Sequence, residues 1–261
     1  MSTQQRSGQG RGVEDRSTRS HRTALRLDST GRAVHNAILL SIPDNEYNLL
    51  QRHLEHIEFP QHHILQEAGA KIEFAYFLNG GMASLVVLTR DGRSVEVAIV
   101  GKDGIVGTPL SVGLELGPQR AVMQIPGIGL RVKSSVLMDV LNSTPELQLK
   151  WNRYVLIQAL QVAQIAACNR LHEIEQRLAR WLLMCQDRVE SENIFVTHEF
   201  MAQMLGTGRP SVSLAAGILQ RSGVIENRRG SVRILNRSGL EKAACECYFA
   251  MQHFTNGLRQ P

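Results

Sequence analysis

No apolar run in this 261-residue chain is long enough to cross a bilayer, and its N-terminus lacks the apolar core of a signal peptide. No membrane partner and a cytoplasmic location are therefore expected. Cysteine is sparse: Cys168, Cys185, Cys245 and Cys247 are the four present, all in the C-terminal part. So few in so long a chain argue for free thiols over a disulfide framework. Cys245 and Cys247 are one residue apart, and on one helix they would point in different directions, so a shared metal is not expected. The His53/His56 and His62-His63 pairs have no carboxylate or cysteine constellation beside them, so no metal or other cofactor is expected there either. A Ser-His-Asp set, a phosphate loop and paired carboxylates are also missing, which argues against an enzyme.

What is present is positive charge. The sequence has 29 Lys and Arg against 24 Asp and Glu, with a pI near 9.3, a balance that suits a polyanionic partner. Its length allows two domains with separate cores. Residues 1–35 are rich in Ser, Arg, Gly and Gln. That composition reads as a disordered basic tail, solvated or in weak contact with nucleic acid. Residues 36–145 begin with a helical pattern from Ala37 to about Ile57, with Pro43 opening a new helix. The period then changes to two. Short β-prone runs around Phe59, Ile64, Phe74–Leu78, Ala83–Leu88, Val95–Val100, Ala121–Ile125 and Ile128–Val132 are separated by glycine turns, the pattern of an antiparallel barrel or jelly roll. Ser134–Leu141 reads as a short helix.

Residues 146–187 read as one long helix, interrupted only softly near Asn169. Val155, Ala159, Val162 and Ala166 recur at four-three-four spacing, Leu156, Leu160, Ala163 and Ala167 recur beside them, and the apolar surface is too wide for a monomer. A parallel two-fold dimer is expected, with packing on the barrel as the alternative. Residues 188–261 carry the most specific pattern. Met201, Ala202 and Leu205 form one apolar stripe, Gly206-Thr207-Gly208 breaks it, and Val212, Ala215, Ile218 and Leu219 resume it. That is helix, turn, helix, with Pro210 in the first turn of the second helix. Two β-prone runs come next, joined by Arg228-Arg229-Gly230, giving a winged helix-turn-helix. Between Thr197 and Leu240 there are six arginines against two glutamates. A final helix spans Arg237 to Gly257.

The order of these parts, an α+β chain with a cyclic-nucleotide-binding-like jelly roll, a dimerisation helix and a C-terminal winged helix, resembles the Crp/Fnr family of bacterial transcription regulators. The likeness rests on YFLNGGMASLVVLTRDGRSVEVAIVGKDGIVG (Tyr76 to Gly107), the long helix, and VTHEFMAQMLGTGRPSVSLAAGILQRSGVI (Val196 to Ile225). It implies a homodimer on double-stranded DNA with a palindromic operator, and RNA polymerase as a further partner of an activator. Arg209, Ser211 and Ser213 match the positions that face DNA, and Arg228 and Arg229, at the hairpin tip, are expected to grip the backbone. Pro210 stands where the family's acidic base reader sits, and Leu214 where many members have a further arginine. In the sensor half, Gly107-Thr108 and Arg120 are what is left of the phosphate cassette, and Val162 and Ala163 replace polar residues that face the base. Gating by cyclic AMP is therefore not expected, and no cysteine precedes Cys168 to support iron–sulfur sensing. The competing reading is a ligand-binding or protein-interaction module whose winged helix contacts a protein.

Overall fold

The computed structural model describes residues 26–256. Of the expected tail, residues 1–25 lie outside the described residues. Arg26–His35 is instead tied down: Arg26 donates to the Ile42 carbonyl at 3.0 Å and stacks 4.6 Å from the Tyr47 ring, whose hydroxyl donates to the Leu27 carbonyl at 2.8 Å. Helices α1 (Ala37–Ser41) and α2 (Asp44–Gln51) are separated at Pro43, whose ring fixes φ and removes a donor. The helical pattern expected to run to Ile57 stops earlier, and strand β1 (Glu55–Phe59) takes over.

Strands β2 (Ile64–Gln66), β3 (Phe74–Leu78), β4 (Met82–Leu88), β5 (Ser94–Val100) and β6 (Ile105–Val106) come next in the chain. After a 3₁₀ turn (Thr108–Val112) come β7 (Arg120–Ile125) and β8 (Gly127–Lys133). They pair antiparallel in two four-stranded sheets, β1-β8-β3-β6 and β2-β7-β4-β5, a jelly roll in place of a closed barrel. The period-two pattern places the side chains. Tyr76, Leu78, Ala83, Leu85, Ala98 and Val100 fill the space between the sheets. Ala75 and Phe77 of β3 face outward into a second core with Leu39, Leu50, Leu137 and Trp151. Met82, Val86 and Ile99 leave the other sheet on its outer face and join a third core with the C-terminal half.

Helix α3 (Ser134–Leu141) leads to α4 (Pro145–Leu171), whose first turn is capped from another element: the Glu46 carboxylate accepts from the Glu146 and Leu147 amides at 3.0 and 2.8 Å. The single long helix expected over 146–187 is two helices. His172 is extended, and Glu173 with Gln176 forms a capping box that starts α5 (Ile174–Val189). Helix α5 belongs by its packing to the C-terminal half, since Leu178, Ala179, Leu182 and Leu183 share a core with Val212, Ala215 and Leu219. Next are β9 (Asn193–Ile194), α6 (His198–Met204), α7 (Arg209–Arg221), β10 (Ile225–Arg228) and β11 (Ser231–Ile234). The three strands form a sheet in the order β10-β11-β9. The expected final helix is also two, α8 (Arg237–Ala243) and α9 (Cys247–Asn256), separated where Ala244 turns extended.

Candidate nucleic-acid interface

Helix α6 starts at Thr197, whose hydroxyl accepts from the Phe200 amide at 3.1 Å. Met201, Ala202 and Leu205 are buried. Gly206 then takes φ +60°, and a Cβ there would stand 3.0 Å from Val95 Cγ2 of β5. The turn thus needs glycine both for its left-handed backbone and for the close approach of the jelly roll. Helix α7 buries Val212, Ala215, Ala216 and Leu219. Arg209, Pro210, Ser211, Ser213, Leu214, Gln220 and Arg221 are exposed. At about 100° per residue, Pro210, Leu214 and Arg221 run down the face opposite the buried one, with Ser213 and Ser211 toward its two edges; Arg209, on the Ala216 side of the helix, is exposed as its first residue.

The wing is fixed to this helix. The Asn227 amide nitrogen donates to Gln220 Oε1 at 2.8 Å and its side chain donates to the Ala216 carbonyl at 3.2 Å. His198 joins all three parts: Nδ1 lies 2.9 Å from Ser213 Oγ and Nε2 3.4 Å from Asn227 Oδ1. Sequence reasoning missed His198, whose one signal is its place directly after the Thr197 cap.

The six arginines are not equivalent. Arg228 is paired with Glu226 at 2.8 Å, Arg233 with Glu192 at 3.3 Å, and Arg237 with Asp187 at 2.7 Å and Glu241 at 3.0 Å. Among the described residues, Arg209 and Arg221 on α7 and Arg229 at the hairpin tip have no acidic partner within the chain. The free positive charge therefore sits at the two places where a helix and a wing would meet phosphates.

In the sensor half, Arg120 is paired with Glu67 at 2.8 Å, and Thr108 Oγ1 donates to Gln158 Oε1 of α4 at 3.2 Å. Gly107 is buried at φ +102°. None of the three lines the cavity of about 480 Å³ bordered by Lys102, Gln161, Asp187, Arg188 and Tyr248. On α4, Val155 and Val162 are half-buried against the jelly roll and its helices, while Ala159 and Ala166 are exposed. The exposed apolar stripe is Leu156, Ala159, Leu160, Ala163, Ala166 and Ala167, which combines the two alanines of the first expected row with the whole of the adjacent one.

Where jelly roll and winged helix meet, Glu96 of β5 accepts from Trp181 Nε1 at 2.8 Å and from the Ser84 hydroxyl. Burial pushes its carboxyl up to about 7, against the pull of these donors and of Arg180 and Arg188. The cysteines correct the sequence expectation. Cys245 lies in the break between α8 and α9, so it and Cys247 are not on one helix and do not diverge. Their sulfurs meet Cys168 Sγ and a ring nitrogen of His172, all within 4.8 Å. The hydrogen bond from Cys245 holds the Cys168 thiol below the ordinary range. Cys185 is elsewhere in the core, where burial pushes its thiol well up.

A family model described as a Crp-like helix-turn-helix domain matches residues 176–243. No curated protein matches the chain in sequence. Among solved structures, FixK2 from Bradyrhizobium japonicum is similar at TM-score 0.64 and 16% identity, over 74% of this chain and 98% of that one. The c-di-GMP responsive global regulator CLP of Xanthomonas campestris is similar at 0.62 and 14%, over 74% and 99%. A CRP-family transcriptional regulator from Thermus thermophilus is similar at 0.59 and 22%, over 72% and 96%. The family-model match begins within α5 and ends at α8, and the third core extends beyond it to Ile165 and Cys168 of α4 and to Tyr248 and Met251 of α9. Residues 176–243 are thus similar to a Crp-like helix-turn-helix domain, and the described chain shares its fold with solved transcriptional regulators of the Crp/Fnr family.

Proposed function

We propose that the chain is a homodimeric, sequence-specific DNA-binding regulator of transcription that is not gated by cyclic AMP. The observation that carries this reading is the placement of the unpaired arginines, at the exposed first and last residues of α7 and at the tip of a wing bonded to that helix. Arg209 would contact a base edge or neighbouring phosphate, with Ser211 and Ser213 beside it. Leu214, 64% exposed, offers an apolar surface of the kind that meets a thymine methyl group. Arg228 and Arg229 would hold the backbone, with the larger share falling to Arg229 because Glu226 already neutralises Arg228. Dimerisation through the exposed stripe of α4 would present two such heads to a two-fold operator. Against cyclic AMP stands the use of Arg120 by Glu67 and of Thr108 by Gln158, which takes a cation and a hydroxyl away from an incoming phosphate.

The test is selection of binding sites from random DNA by the full-length protein, with and without cyclic AMP. A palindromic motif should be enriched identically in both. Arg209→Ala should weaken the selected site by about tenfold or more relative to random DNA, since a good base contact discriminates by roughly 1–3 kcal/mol. Arg229→Ala should weaken both alike and lower the salt slope by about 1. Loss of sequence preference at moderate salt, together with salt-insensitive capture of a protein, would instead support a winged helix that binds protein through Leu214 and the exposed Phe195.

A further inference from the structure

Three of the four cysteines converge on one histidine outside the DNA-facing surface. Cys168 and His172 are four apart at the end of α4, so they share a helix face. Cys245 and Cys247 are brought to that face by the short link between α8 and α9, where Ala244 is extended and Cys247 opens the new helix. Cys168 Sγ is 3.5 Å from Cys245 Sγ, and Cys247 Sγ is 3.6 Å from His172 Nδ1. We propose that Cys168, His172, Cys245 and Cys247 bind one zinc ion, fastening the junction of α4 and α5 to the C-terminal helix.

The spacing selects a single ion. Tetrahedral zinc with Zn–S near 2.3 Å holds its sulfur ligands about 3.8 Å apart, and the four ligand atoms here fall within 4.8 Å of one another. An iron–sulfur cluster would need its thiolates spread around several metal and sulfide atoms. Three thiolates and an imidazole form a soft, closed set that prefers zinc to magnesium or calcium. A Cys168–Cys245 disulfide would use only that pair, and would leave Cys247 and the ring of His172 turned to the same point without a role.

The surroundings also fit a metal. Glu246 Oε1 lies 3.1 Å from His172 Nε2, so with the proton on Nε2 the ring aims a bare Nδ1 at the sulfurs, as outer carboxylates do for metal-bound histidines. Gln164 Nε2 donates to Cys247 Sγ at 3.1 Å. Three thiols would release their protons to solvent on binding, leaving one net negative charge on the filled site. The cations that act on these thiols are Arg177 and Arg180 of α5. Arg177 also donates to the Leu205 carbonyl at the helix-turn-helix turn. Occupancy of the site is thereby connected, through one side chain, to the segment that positions the reading helix.

The experiment uses the full chain purified under reducing conditions. Elemental analysis should find about one zinc per chain that survives dialysis and is released by a thiol-modifying mercurial. Cobalt exchanged into the site should show thiolate-to-cobalt charge transfer and the intense visible bands of tetrahedral coordination. Cys245→Ser and Cys247→Ser should lose both signals, and Cys185→Ala should keep them. The wild-type cobalt spectrum needs no variant to fold. The proposal is overturned if the protein takes up no stoichiometric zinc or cobalt, or if iron and acid-labile sulfide are found in the site. A weak octahedral cobalt spectrum, or one unchanged in Cys245→Ser, would also overturn it, as would a metal-free protein that yields a Cys168–Cys245 disulfide peptide.

Discussion

Glu96 is the residue whose chemistry is most at odds with its surroundings. It is a carboxyl at 4% exposure, on a strand that touches both halves of the molecule. In the unfolded chain it gives up its proton near 4.5; in the fold, burial delays that to about 7. Between those values the folded state holds the extra proton. The contribution of this group is therefore fully present below the lower value and lost as pH rises through the upper one. Wild-type stability, followed by urea unfolding, should carry a decline of about 2–3 kcal/mol from this group between pH 5 and pH 8. Glu96→Gln keeps an acceptor for Trp181 and should remove that part of the slope. Parallel curves for the two proteins would refute the assignment. Gly104 shows a different residue-level constraint: a Cβ there would meet the Tyr154 hydroxyl at 2.1 Å, so the buried phenol fits only because the residue directly before β6 carries no side chain.

Among the elements, the strands and the helix-turn-helix were legible because each has a local cause. Alternation set the faces of β3, β4 and β5, and Gly206 marked the turn by the backbone it alone adopts easily. The breaks in the long helices were not legible. The segment from Glu146 to Asp187 shows only a soft interruption near Asn169 in its apolar periodicity, and the reciprocal bonds of Glu173 and Gln176 are what turn it into the start of a new helix. The same failure hid the cysteine cluster, because Cys245 and Cys247 converge only if the helix expected over 237–257 is broken before them. On α4 the two adjacent apolar rows of the sequence differ in exposure: Ala159 and Ala166 of the first lie on the exposed stripe together with the whole of the second. Val155 and Val162 look inward, whereas Leu156 and Leu160 remain 62% and 40% exposed. If this stripe is the dimer seam, Leu160→Glu buries an unpaired charge at it. Light scattering should then show dimerisation weakened by at least about 100-fold, with the far-ultraviolet circular dichroism kept. A dimer that persists at the wild-type concentration would place the seam elsewhere.

At the scale of the whole molecule, the reading head is not tethered loosely to the jelly roll. Gln203 of α6 donates to Ser94 of β5 at 2.6 Å, Trp181 of α5 reaches Glu96, and Met82, Val86 and Ile99 of the sheet share one apolar core with α5, α6 and α7. Two sequence-defined domains thus have no solvent layer between them at this seam. A linker normally lets neighbouring domains melt separately; here, separation at α5 would expose the outer face of one sheet and the indole of Trp181 together. Calorimetry should accordingly record one cooperative transition for the chain, with van't Hoff and calorimetric enthalpies in agreement. A winged helix expressed from residue 173 onward should melt lower and bind hydrophobic dyes. The seam makes the winged-helix half a dependent folding unit, so substitutions in the sheet should reach α7 first as lost thermal stability.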